Sequence, residues 1–164
     1  AAELGIILSM QPVFETLWGG KEGMYAERLG VARALKSNRF ASIIKSGAVI
    51  AGGSDSDVTP MSPLDGIAAL LNLPNERERV SIYDAVSIFT KNGAYANFLE
   101  RDRGSIAINK MADFTVLDKD IFEIGASGLK DVKISAAVVG GEIKYLNGEM
   151  KFADGMPLKK TAGQ

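Results

Sequence analysis

Short apolar runs alternate with helical patterns along the first part of the chain. Residues 6–10 and 48–52 are continuous apolar runs, which are typical of strands buried on both faces of a parallel sheet. Between them, apolar residues recur at helical spacing over residues 26–35 and again over residues 40–44. The first half of the chain therefore predicts two strands with helices between them.

Two helix-start signals follow the second strand. Ser62 and Ser81 are residue types that cap helix N-termini, and each is followed three residues later by an acid, Asp65 or Asp84. Pro63 is suited to the first helical position after Ser62. The helix after Ser81 is expected to be long. The order strand, helix, strand, helix, helix predicts an α/β fold.

The period of the pattern changes to that of strands after residue 105. Hairpin signals at Gly140-Gly141 and Asn147-Gly148 separate alternating segments, which favours an antiparallel meander. We therefore expect an α/β part over residues 1–98, a small β domain over residues 99–158 and a disordered tail over residues 159–164. The strands are expected at residues 105–108, 113–117, 133–139, 142–146 and 149–152.

Composition and charge exclude several classes of function. The chain has 164 residues and a net charge of −1, with basic residues spread along it, so neither nucleic acid nor an anionic membrane is an expected partner. No apolar run approaches the roughly 20 residues that span a bilayer. The absence of Cys excludes disulfides, and the absence of His excludes a Ser-His-Asp triad.

The first residues predict a chain that continues from a longer protein. No basic segment precedes the first apolar run, which is therefore not typical of a signal peptide. Residues 2–5 are interpreted as the end of a helix that stops at Gly5. A cytoplasmic location is the expectation, and an export signal upstream of Ala1 is compatible with the same pattern.

The strand at residues 48–52 leads through a glycine-rich turn into Asp55. Active sites of α/β barrels lie at this end of the strands, where a carboxylate can bind a metal or accept a proton. The alternative is a structural turn in which Asp55 or Asp57 binds a nearby backbone amide. Taken alone, the pattern favours the structural turn.

Other polar residues are weaker candidates. Gln11 ends the first strand and either reaches a substrate or belongs to a loop. Asp57 either orients a substrate or holds the turn, and the turn is favoured. Residues 76–79 are expected to form a solvated charged segment, and Asn92 the solvated face of the long helix.

Three aromatic side chains follow the first strand. Phe14, Trp18 and Tyr25 occupy a region where a barrel enzyme can place substrate-lining aromatics. A small satellite core beneath a long connection explains the same residues more simply.

Five spaced sequence blocks nevertheless change this interpretation of Asp55. The blocks are SMQP (9–12), GSDSDVTPMSPLDGI (53–67), AVSIFTKNGAYANF (85–98), GSIAINKMADFTVLD (104–118) and KISAAVVGGEIKY (133–145). With these blocks in this order, the chain resembles the C-terminal portion of an amidohydrolase-superfamily metal-dependent hydrolase, in the branch of predicted metal-dependent hydrolases and exoenzyme regulatory proteins.

This resemblance implies a fold and a site. The fold is the last strands and helices of a TIM-like barrel, followed by part of a small composite β-sandwich domain. Asp55 becomes a ligand of a divalent metal, zinc by expectation, and the acceptor of the attacking water's proton. Gln11 and Asp57 remain the weaker candidates for substrate contacts, on the basis of their positions alone. The parent enzyme would hydrolyse non-peptide C–N bonds in a small-molecule amide.

The lack of histidine departs from that pattern. The His ligands of such a centre would lie upstream of Ala1, so this chain alone is expected to hold no metal and to be inactive. The alternative is a non-catalytic fragment or regulatory module. Such a module would associate, for instance as a homo-oligomer, through the open barrel edge beside residues 6–10 and 49–51.

Overall fold

A computed structural model describes residues 1–148. The strand expected at residues 149–152 and the tail expected at residues 159–164 lie outside the described residues. Within residues 1–148, no helix has the length and apolarity that a bilayer crossing requires.

Two short strands form a parallel pair in the first half. β1 (Leu8–Met10) pairs with β2 (Ile50–Gly52), with Ser9 opposite Ala51. This confirms both strands, although each is shorter than its apolar run. Burial on both faces is confirmed for β2 but is wrong for β1, whose Ser9 is exposed.

Four helices connect the two strands. They are α1 (Val13–Trp18), α2 (Met24–Leu29), α3 (Val31–Ala34) and α4 (Phe40–Lys45). The single helix expected over residues 26–35 is divided at Gly30, whose φ of 81° lies where a side chain would be strained. The chain therefore turns between α2 and α3.

The two cap signals after β2 are confirmed. Ser62 accepts a hydrogen bond from the Asp65 amide at 3.3 Å and begins α5 (Pro63–Leu71). Ser81 accepts one from the Asp84 amide at 3.1 Å and begins α6 (Ile82–Phe89). The expected long helix is interrupted at Thr90 (φ −123°, ψ −89°), after which α7 (Lys91–Ala96) begins.

A three-stranded antiparallel sheet follows. Its order is β3 (Phe114–Leu117), β4 (Ile134–Val139), β5 (Glu142–Leu146), with α8 (Gly125–Gly128) between β3 and β4. Gly140 and Gly141 have positive φ values of 60° and 80° and form the expected hairpin turn between β4 and β5.

The strand expected at residues 105–108 is wrong. This segment is a loop in which Ile106 and Ile108 are 88% and 92% exposed. The Lys110 ammonium donates hydrogen bonds to residues shortly before it in sequence: the carbonyl oxygens of Glu100 and Arg103, and Ser105 Oγ. An alternating pattern forms a strand only where a partner strand lies beside it, and none does among the described residues.

The main core lies around β2 and the helices that cover it. Residues from both sides of the expected boundary at residue 99 share this core, and that domain boundary stays a prediction. Its buried members are Phe40, Ile50, Ile67, Leu70, Leu73, Ala85, Ile88, Ile121 and Leu129.

Candidate functional site

The carboxyl ends of β1 and β2 lie side by side because the strands are parallel. The Gly53 amide donates to the Met10 carbonyl at 2.9 Å, which extends the pairing by one residue beyond β2. A Cβ atom on Gly53 would lie 3.8 Å from Nε2 of Gln11. The structure therefore brings Gln11 next to the turn that carries Asp55.

Asp55 lies on the surface in a turn that is held by other groups. Its φ is 53°, in the left-handed region, and its carbonyl accepts from the Val58 amide at 2.7 Å. The buried Thr59 hydroxyl donates to the Ser54 carbonyl and closes the turn. Within residues 1–148, the exposed carboxylates of Asp55 and Asp57 accept no hydrogen bond, so both remain accessible to a ligand.

Two residues, one at the end of α6 and one at the start of α7, contact β2. The Phe89 ring fits against two glycines, Gly52 and Gly66, where any Cβ atom would overlap it. Asn92 donates from Nδ2 to the Ile50 carbonyl at 2.9 Å. The expectation that Asn92 belongs to a solvated face is therefore wrong, because the break at Thr90 turns α7 toward the strand.

A buried carboxyl lies in the helix after β1. Glu15 is 7% exposed and accepts a hydrogen bond from Asn38 Nδ2 at 2.6 Å. Burial raises the pKa of the Glu15 carboxyl above its ordinary value of 4.5, and the Asn38 hydrogen bond lowers it in part. Burial, and to a smaller extent the charge of Glu15, raise the pKa of Tyr25.

The three aromatic side chains after β1 form one cluster beside Glu15. The Phe14 and Trp18 rings meet edge to face at 4.7 Å, and the Trp18 and Tyr25 rings are 6.4 Å apart. All three side chains are half-buried. This arrangement agrees with the satellite core that the sequence favours.

A second buried carboxyl contradicts the expectation for residues 76–79. Glu78 is 7% exposed and accepts hydrogen bonds from the Ser42 amide at 2.9 Å and the Ser42 hydroxyl at 2.6 Å. It therefore satisfies an amide in the first turn of α4. From the sequence the charged run is expected to be solvated, because the donor to Glu78 does not lie nearby in the chain. The donor is Ser42, which lies 36 residues earlier.

Asp55 is the residue that the sequence suggests as a metal ligand. Residues 1–148 contain no group of three or more Asp, Glu, His or Cys side chains that could hold a metal ion. Asp55 fits the chemistry of one oxygen ligand, since its carboxylate is accessible and has no competing hydrogen bond. The remaining ligands would have to come from outside the described residues.

An open groove lies away from the strand ends. It has a volume of about 570 Å³ and runs between the start of α5 and the face of β4 and β5. Neither Asp55 nor Gln11 lines it. Its lining residues are Leu64, Val132, Lys133, Ile134, Ala137, Tyr145 and Asn147.

Comparisons with known proteins agree on one family. The model of the amidohydrolase family matches residues 1–145. The chain is 34% identical over 158 residues to YtcJ of Bacillus subtilis (strain 168), covering 88% of this chain and 29% of YtcJ. It is 27% identical over 151 residues to the N-substituted formamide deformylase of Arthrobacter pascens, covering 88% of this chain and 28% of the deformylase. The chain therefore spans less than a third of either relative.

A solved structure gives the same result for the fold. The amidohydrolase from Thermotoga maritima MSB8 superimposes with a TM-score of 0.64 at 21% identity, over 89% of this chain and 33% of that chain. At this identity the likeness concerns the fold alone, and it is consistent with a fragment of the TIM-barrel fold of the structural neighbours. The finer division into barrel and composite β-sandwich stays a prediction.

Proposed function

The chain belongs to the amidohydrolase family, and from this premise we propose that it supplies Asp55 to the metal centre of a hydrolase of non-peptide C–N bonds. The observation that carries the proposal is the position of Asp55. A buried strand and a closed turn present its carboxylate to solvent beside the end of the neighbouring parallel strand. Active sites of α/β barrels lie at this end of the strands.

Asp55 acts in two ways in this proposal. Asp55 would hold a divalent metal, zinc by expectation, through one carboxylate oxygen, and the bound metal would supply a water with a lowered pKa. The Asp55 carboxylate would accept the proton of that water. The accessible carboxylate can make both contacts without breaking a hydrogen bond within residues 1–148.

Gln11 and Asp57 are proposed as weaker substrate contacts. Gln11 lies beside Gly53 and offers an amide donor and acceptor to a polar substrate. Asp57 lies on the surface of the same turn as Asp55. The proposed substrate is a small-molecule amide, and the deformylase among the relatives supports a formamide as the first compound to try.

The decisive experiment uses the whole protein that contains these residues. We expect Asp55→Asn to lower turnover of an N-substituted formamide by about 10²–10⁴-fold, because the proton acceptor is lost. Bound zinc per molecule should also fall, and this measurement does not depend on the choice of substrate. Asp65→Asn is the matched control, an exposed aspartate in the first turn of α5. Unchanged metal content and turnover in Asp55→Asn would overturn the proposal.

A second candidate is a non-catalytic interaction module. The observation that favours it is the outer edge of β1, since β1 pairs with no strand other than β2 within residues 1–148. Unpaired edges favour association with another chain. A metal-free dimer of the purified chain, measured by light scattering, would support this candidate. A monomer would count against it.

A further inference from the structure

We propose that Asn92 is a positioning residue for Asp55, acting through the backbone of β2. This inference rests on the proposed function of Asp55. It concerns a side chain that touches neither the proposed metal position nor a substrate. Its side-chain amide contacts β2, the strand that leads into the turn with Asp55.

The hydrogen-bond pattern of β2 explains why Asn92 is needed. The Val49 carbonyl accepts from the Leu8 amide and the Gly53 amide donates to the Met10 carbonyl, so alternate residues of this strand face β1. Ile50 lies between them and its carbonyl faces the opposite edge. Because Ile50 is 1% exposed, that carbonyl has little access to water, and the Asn92 amide satisfies it at 2.9 Å.

The break between α6 and α7 brings Asn92 to this carbonyl. Thr90 departs from helical geometry. Its hydroxyl donates to the Val86 carbonyl at 2.8 Å and so satisfies a carbonyl in the last turn of α6. The chain then restarts as α7 with Asn92 in its first turn. A continuous helix over residues 82–96 would direct this side chain differently.

Phe89, at the end of α6, fixes β2 at a second point. A Cβ atom on Gly52 would lie 2.7 Å from Cε1 and Cζ of Phe89, so the ring packs directly on the strand backbone. Gly66 of α5 accommodates the other side of the ring in the same way. The strand is thus held by a hydrogen bond at Ile50 and a ring at Gly52, a few residues before Asp55.

Loss of the Asn92 contact should displace Asp55. Partners that orient metal ligands typically change metal affinity by about 10- to 100-fold when they are replaced. Ile50 and Asp55 are five positions apart in the chain, so we expect a change of about 10-fold, at the low end of this range. The fold should remain, because Phe89 and the surrounding core still hold the strand.

The chain provides a matched control in the same helix. Asn97 at the end of α7 also donates from Nδ2 to a backbone carbonyl, that of Gly93, at 2.8 Å. It is exposed, and its bond stays within its own helix. Asn97→Ala therefore removes the same kind of hydrogen bond without releasing β2.

The experiment measures cobalt binding by the whole protein in three variants: Asn92→Ala, Asn97→Ala and Asp55→Asn. We expect Asn92→Ala to weaken Co²⁺ affinity about 10-fold and to shift the visible absorption of the bound ion, with Asn97→Ala unchanged. In the chain alone, exchange of the Val58 amide, which closes the Asp55 turn, should quicken only in Asn92→Ala.

The outcomes separate the two proposals. If Asp55→Asn loses the metal but Asn92→Ala binds it like wild type, with unchanged Val58 exchange, the role of Asn92 is overturned and that of Asp55 stands. If Asp55→Asn binds like wild type, the proposed function fails. Should Asn92→Ala not fold, Asn92→Gln replaces it. Its longer amide should alter the cobalt spectrum, and a wild-type spectrum would overturn the inference.

Discussion

The residues of β2 are more deeply buried than those of the sheet of β3, β4 and β5. The parallel strands have only three residues each, yet β2 lies in a core built from several helices. The antiparallel strands are longer, but large apolar side chains such as Phe114, Ile134 and Tyr145 remain exposed. Short parallel strands depend on their helical cover, whereas a hairpin sheet forms with less burial.

The largest effect is expected from the core of the helical region. Leu70→Ala should lower the free energy of unfolding by about 2–5 kcal/mol, because Leu70 is fully buried and its loss leaves a cavity. Leu4→Ala is the control, since that side chain is 79% exposed and its replacement should change stability by less than about 0.5 kcal/mol. Urea unfolding measures both. Equal effects would break the contrast between core and surface.

A smaller loss is expected where Glu78 meets α4. Glu78→Ala should lower the free energy of unfolding by about 1–3 kcal/mol, because the Ser42 amide loses its acceptor. Glu76→Ala serves as the comparison, since Glu76 lies in the same turn but makes only an exposed ion pair with Arg79. If the two variants unfold alike, Glu78 does not stabilise the start of α4.

The pH dependence of stability should report Glu15. Burial raises the pKa of Glu15 above its ordinary value of 4.5, so the folded chain binds more protons than the unfolded chain between 4.5 and the raised pKa. The Glu15 contribution to stability is therefore lost as pH rises through this window. Glu15→Gln cannot titrate, and the stability difference between variant and wild type should change with pH only there. A difference that is constant across urea titrations from pH 4.5 to 8 would contradict this assignment.

The smallest effect is expected in the antiparallel sheet. Glu142 and Lys144 form an exposed ion pair at 2.6 Å on β5. Lys144→Ala should leave the unfolding midpoint unchanged, because exposed pairs are solvated in both states. The pKa of Glu142, which the Lys144 hydrogen bond and charge lower, should rise toward its ordinary value in an NMR titration. A lower midpoint would show that the sheet depends on its surface pairs.

Features that depend on residues close together in the sequence were predicted correctly. The caps at Ser62 and Ser81 and the glycine hairpin between β4 and β5 depend on neighbours in sequence, and all three are confirmed. The strand that ends before Asp55 is also confirmed, and belonging to the amidohydrolase family was readable from spaced blocks.

The missed features depend on distant partners. The hydrogen-bond partners of Glu15, Glu78 and Asn92 lie 23, 36 and 42 residues away, which no local pattern reveals. The false strand at residues 105–108 failed for a related reason. Alternation describes a side-chain pattern, but only a neighbouring chain makes it a strand.

The pairing of β1 with β2 also has a kinetic consequence. Leu8 and Ile50 are about 40 residues apart, so their pairing closes a loop of that length. The hydrogen bond from Asn92 to the Ile50 carbonyl closes a second loop of similar length. By contrast, Val138 and Ile143 pair across a turn of a few residues. Contacts between distant residues lose chain entropy before they gain energy, so they form slowly. The hairpin should therefore form early in folding, and β2, which leads into the Asp55 turn, should be placed later.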